Sequence, residues 1–157
     1  MRNIVPGQRP DNDAGYLEMM TAVIFMGGLS RQVVMSKWDG FLVAFEGFDV
    51  DKVADFSDVD IERLSSDPRI VRYKAKIRAV VANAGMMRAI AAEHGSFGAW
   101  LQSKVIEEGV SRTSTELAKR FKYMSEASSE RYLFAVGEDI GEVDDKVRRK
   151  YGAPEPD

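Results

Sequence analysis

The 157-residue sequence contains no cysteine and a single histidine, His94. The first absence excludes disulfides and thiolate metal sites, and the second excludes a metal cluster built on histidines. Long apolar runs are missing too. None exceeds five residues, as in "AVIFM" at 22–26, whereas a membrane-spanning helix needs roughly 20. The N-terminal stretch "MRNIVPGQRPDNDAG" has no apolar centre of the signal-peptide kind. The expectation is a reducing, cytoplasmic setting with no membrane, metal or cofactor. An excess of positive charge is also lacking: 22 basic residues face 25 acidic ones, a net charge of −3. A general nucleic-acid coat protein is thereby excluded, and any site for a polyanion must be local.

Sustained alternation of apolar and polar residues is absent, so no strand is expected. What is present reads as helix. Residues 16–26 are apolar nearly all round and end at "GG" (27–28), as glycine ends helices. Ser30 caps a second helix to about Trp38, and Asp39 starts a third that ends near Gly47. Asp49 and Ser57 suit the N-caps of two short helices. After Asp67-Pro68 comes the longest helix, about 71–94, stopped by Gly95. Its apolar positions Ile77, Val80, Val81, Ala84, Met87, Ile90 and Ala91 step by three and four, the period of one buried face. Segments 96–106, 114–124 and 125–137 complete the set. The expected fold is all-α, a single compact domain of about eight helices spanning 16–140 and arranged around 71–94. A polar N-terminal segment (1–15) precedes it and a polar C-terminal tail (141–157) follows, with "YGAPEPD" frayed.

Charge is concentrated in one place. Between Asp67 and Arg78, the five cations Arg69, Arg72, Lys74, Lys76 and Arg78 face only Asp67, a local balance of +4 that leaves −7 on the other 145 residues. They surround the start of a helix, where unpaired amides and the positive dipole end accept phosphate oxygens. With Ile70 and Val71 in the short turn, residues 58–84 read as a helix-hairpin-helix DNA-binding element, although Pro68 and Arg69 stand where such turns usually carry glycine. A solvated charged face is the plainer alternative.

Several motifs share one order and spacing: "YLEMM" (16–20), "GGLS" (27–30), "FEGFD" (45–49), "KVA" (52–54), "DIERL" (60–64), "IVR" (70–72), "KI" (76–77), "NA" (83–84), "LAKRFKYM" (117–124) and "AVG" (135–137). Together they resemble the DNA-3-methyladenine glycosylase I family over about 16–94 and 117–137. That resemblance implies an all-α helix-hairpin-helix fold, binding of duplex DNA, and excision of alkylated bases. The cation cluster puts the expected DNA contacts at Arg69, Ile70, Val71, Arg72, Lys74, Lys76 and Arg78, while the resemblance puts base-pocket positions at Val23 and Arg31, with Phe25 and Trp38 expected beside them. At two of these positions the sequence departs from the family. The glutamate that contacts the flipped base is replaced by Val23, and the stacking tryptophan after "GLS" by Arg31. The cysteines and histidines of the family's structural zinc are missing as well.

A carboxylate and stacked aromatics favour a cationic alkylated purine, whereas an arginine at close range repels it. Glu126 and Glu130, four apart and so on one helix face, are the candidates for a relocated acid; a solvated face is the alternative. His94 reads as a helix C-terminal cation and the methionines as core filler. Three functions stay open at this point. One is a glycosylase hydrolysing the N-glycosidic bond of a modified purine in an altered pocket. Another is a non-catalytic module that binds DNA lesions. The third is a scaffold whose cations meet an acidic protein.

Overall fold

The computed structural model describes residues 4–154. Nine α-helices and no strand occur among them: α1 (Asp13–Phe25), α2 (Arg31–Ser36), α3 (Trp38–Ala44), α4 (Val50–Ala54), α5 (Asp58–Ser65), α6 (Lys74–His94), α7 (Phe97–Arg120), α8 (Glu126–Ala135) and α9 (Asp145–Tyr151). A single 3-10 turn, Glu46–Phe48, joins α3 to α4.

The helix at the centre is α1, not the longer helix expected there. Every residue from Gly15 to Phe25 is buried, because a helix that is apolar on all sides must be covered on all sides. Its neighbours include α4, α6, α7 and α8. By contrast α6 buries the stripe Ile77, Val80, Ala84, Met87 and Ile90 and exposes its other face. Asn12 caps α1 by accepting from the Gly15 amide at 3.1 Å. One residue further on, Asp13 reaches across to α7 and accepts from the amides of Phe97 (2.8 Å) and Gly98 (3.0 Å). A carboxylate from one helix thus satisfies the free amides of another and fixes the angle between them. Gly98 is required at this crossing, since a Cβ there would lie 2.7 Å from the Tyr16 ring.

The caps read from the sequence hold. Ser30, Asp49 and Ser57 each accept from the amide three residues on, and Ser57 with Asp60 forms a reciprocal capping box. Gly95 ends α6 with φ 89°. The separation of 96–106 from 114–124 holds too: Gly109 (φ 85°, ψ 171°) breaks α7 into two helical stretches, the second of which already begins before residue 114. One boundary differs. The longest helix expected from residue 71 begins at Lys74, because Tyr73 is extended (φ −112°, ψ 94°). Of the tail expected at 141–157, residues 155–157 lie outside the described ones, and the described part is not frayed throughout. It contains α9, capped by Asp144, and buries Tyr151. At the other end Ile4 is buried and the Gly7 amide donates to the Ala135 carbonyl at 2.7 Å.

Candidate functional site

The connection between α5 and α6, residues 66–73, is seated on α3. Ile70 is buried, and Gly40 lies so close that a Cβ on it would sit 2.1 Å from the Arg69 carbonyl oxygen. The Lys37 ammonium donates to the Pro68 carbonyl at 3.2 Å. Inside the turn, the Asp67 carboxylate accepts from the Arg69 amide (2.9 Å) and from its guanidinium at 2.8 to 3.3 Å. These bonds from Arg69 hold the Asp67 carboxyl below the usual carboxylate range and raise the guanidinium in turn. The turn is therefore rigid and built largely by its own residues.

The five cations do not play equal parts. Arg69 is committed to Asp67. Lys74 bonds Glu62 on α5, which lowers the pKa of that carboxyl. Lys76 donates to the Gly27 carbonyl at 2.9 Å and lies over the rings of Phe25 (5.7 Å) and Tyr73 (5.3 Å). Its partial burial pushes the ammonium pKa down. Arg72 and Arg78 are exposed and enter no ion pair among the described residues. Ile70 and Val71 lie in the turn, the first buried and the second half-buried.

The start of α6 differs from most helix starts in this chain. Side-chain oxygens cap α1, α2, α4, α5, α7, α8 and α9. No side chain caps α6, nor the short α3. The first-turn amides of a 21-residue helix thus lack a side-chain acceptor, among cations, at an exposed surface. That combination fits an oxyanion such as phosphate.

Two exposed tyrosines flank this point and were missed from the sequence. Tyr73 and Tyr123 meet edge to face at 6.3 Å. Tyr123 sits at φ 59°, a left-handed conformation that costs a non-glycine residue of order 1 kcal/mol or more. Only the position of Tyr73 inside the basic run hinted at such a pair.

The residues named for a base pocket lie close to the core. Val23, Phe25 and Trp38 are all buried, Trp38 stacking on Phe41 (4.8 Å) and Phe48 (5.6 Å). Arg31 does not face a carboxylate. Its guanidinium donates to the carbonyls of Arg149 (2.8 Å) and Gly152 (2.9 Å) at the end of α9, and burial lowers its pKa. Glu126 accepts from the Thr115 hydroxyl at 3.2 Å, while Glu130 lines a cleft of about 230 Å³ against α9. Nothing in these contacts joins either glutamate to Arg31. The sequence also hid Glu18, a fully buried carboxyl on α1 that accepts from the Trp38 indole at 2.9 Å. Its signal was a lone acid inside the apolar stretch 16–26.

Among the described residues no group of three or more His, Cys, Asp or Glu is placed to hold a metal ion. No helix among them is long and apolar enough to cross a membrane.

The sequence profile of the methyladenine glycosylase family matches residues 7–132. DNA-3-methyladenine glycosylase 1 of Escherichia coli (strain K12) is 37% identical over 76 residues, a stretch covering 48% of this chain and 41% of that relative. The chain therefore matches less than half the length of that relative. Among solved structures, a glutamate-to-glutamine variant of 3-methyladenine DNA glycosylase I from Staphylococcus aureus is 25% identical. It superimposes with a TM-score of 0.77 over 86% of this chain and 82% of that one. A second structure of that enzyme, solved to explain its recognition of 3-methyladenine, gives a TM-score of 0.78 at 24% identity and covers 99% and 90% of the two chains.

Proposed function

The chain belongs to the methyladenine glycosylase family, and from that membership we propose that it is a base-excision repair glycosylase. It binds duplex DNA through the α5–α6 hairpin and hydrolyses the N-glycosidic bond of a modified purine. The observation that carries the DNA-binding half is the start of α6, uncapped by any side chain and set among cations.

The division of labour follows from the contacts. Asp67 and Arg69 shape the turn, and Lys37 and Gly40 seat it on α3. Arg72 and Arg78, exposed and without ion pairs, supply the charge that meets phosphate, with the amides of the turn and of the first turn of α6 beside them. Lys76 ties the hairpin to Gly27 and thus to the "GGLS" loop. A base must leave the stack to be excised. The exposed Tyr73–Tyr123 pair offers aromatic surface for a neighbouring base, worth about 1–3 kcal/mol per stacked base in other proteins.

The excision step breaks the bond between C1′ and the purine nitrogen. The electron pair leaves with the base, water adds its oxygen to C1′, and the water proton is released. An alkylated purine carries positive charge and departs readily, so a site without a carboxylate at position 23 demands little acid catalysis. Val23, Phe25 and Trp38 back the site, and Arg31 is engaged with α9 carbonyls instead of stacking on a base. Glu126 and Glu130 are the carboxylates proposed to orient water.

The test is to incubate the purified protein with DNA treated with a methylating agent and to quantify free bases and abasic sites. Release of a methylated purine is expected, with a slower rate in the Glu126→Gln and Glu130→Gln variants. Binding without release would reduce the protein to a lesion-binding module. Full rates in both variants would remove the two glutamates from the mechanism.

A further inference from the structure

The C-terminal helix separates charges that the linear sequence mixes. Five acids crowd residues 138–145, and four cations follow at Lys146, Arg148, Arg149 and Lys150. In the fold they part. Glu142 and Asp144 join Glu130 in the cleft between α8 and the α9 segment. Lys146, Arg149 and Lys150, at spacings of three and four that share one helix face, line an open groove of about 840 Å³ on the other side. The opposite wall of that groove is the loop and helix start from Gly28 to Gln32. No carboxylate lines it. Arg148, the remaining cation, pairs instead with Asp145 at 3.8 Å.

Arg31 locks the two walls together. Its two bonds to the Arg149 and Gly152 carbonyls place a cation at the end of α9, where the helix dipole favours it. The groove also adjoins the hairpin. Lys76 of α6 bonds the carbonyl of Gly27, and Gly28, the next residue, already lines the groove. No atom lies within 4 Å of where a Cβ on Gly28 would be, so no side chain covers that end of the groove at Gly28.

We propose that this groove is a second contact for the sugar–phosphate backbone of DNA, continuous with the hairpin and made by Lys146, Arg149 and Lys150. The inference rests on the DNA-binding reading above and extends it to a surface outside the hairpin. A groove whose charged lining residues are all cations, on a chain of net charge −3, focuses its field on a polyanion while the rest of the surface repels one. Arg31 is then a positioning residue: it stands where the family has an aromatic wall and holds the cationic helix beside the "GGLS" loop.

The experiment measures binding of a fluorescein-labelled duplex carrying a tetrahydrofuran abasic mimic, by anisotropy, over a series of salt concentrations. Each phosphate contact contributes about 0.9 to the slope of log affinity against log salt. The triple variant Lys146→Gln, Arg149→Gln, Lys150→Gln is expected to lose roughly 2 to 3 units of slope and at least about tenfold in affinity at low salt. A control with Lys52→Gln and Arg112→Gln, exposed cations outside both surfaces, should keep the original slope. The single Arg149→Gln variant leaves the carbonyl that Arg31 uses intact and should lose about one contact's worth. An unchanged slope in the triple variant, or an equal loss in the control, overturns the groove while leaving hairpin binding in place. Absence of binding by the unaltered protein at low salt overturns the DNA-binding reading itself, and the groove with it.

Discussion

Glu18 and Trp38 show what one polar pair does inside an apolar core. The carboxyl is fully buried on α1, and the Trp38 indole donates to it at 2.9 Å. Trp38→Phe keeps most of the stacking on Phe41 and Phe48 but removes that donor, and a loss of about 1–3 kcal/mol in denaturant unfolding is expected. Asp67 gives a prediction in pH. Its carboxyl is held below its ordinary value chiefly by the bond from the Arg69 guanidinium. Such a depressed group stabilises the fold above its unfolded pKa, and that contribution disappears as pH falls through the lower, folded value. Acid unfolding curves of Asp67→Asn should therefore be flatter than the parent's on the acid side of about pH 4, with lower stability at neutral pH. Residues of this kind were half legible. The caps were read because a cap is local, three residues from its partner. Glu18 and Arg31 were not, because their partners lie 20 and 118 residues away, and only the fold brings them together.

At the scale of elements, the hairpin depends on a helix it does not belong to. A methyl group at Gly40 would collide with the Arg69 backbone at 2.1 Å, and backbone cannot swing aside as a side chain can. Gly40→Ala should cost about 1–3 kcal/mol or more and weaken DNA binding by shifting the turn, while changes at the open Gly85 should do neither. The attachment of α9 is testable in the same way. Arg31→Ala removes two hydrogen bonds from a charged donor, and hydrogen exchange should show residues 145–152 opening with about 2–3 kcal/mol less protection. Helices were readable from the sequence because their apolar stripes and terminal residues are local signals. The start of α6 lies three residues later than the apolar pattern suggests, since Ile70 continues that pattern but is buried in the turn and Tyr73 is extended. α9 was hidden because four of its seven residues are cationic, which reads as tail.

On the scale of the whole molecule, the acidic net charge and the local cations define how DNA should be met. Because Arg69 and Lys74 are engaged with Asp67 and Glu62, their removal should disturb the turn more than the salt slope. Arg72→Ala with Arg78→Ala should instead lower the slope by about two contacts, which salt titration of DNA binding will show. The all-α class was legible, since helical periodicity repeats along the chain. The identity of the central element was not, because enclosure depends on what every other helix covers. One further property follows from the glycine elbow that divides α7. No atom stands within 4 Å of where a side chain at Gly109 would project, and Ile106 just before it is 84% exposed. That corner is a natural place to graft foreign sequence: a short glycine-rich peptide or a dye attachment site inserted there should leave both halves of the helix docked and the thermal unfolding midpoint unchanged.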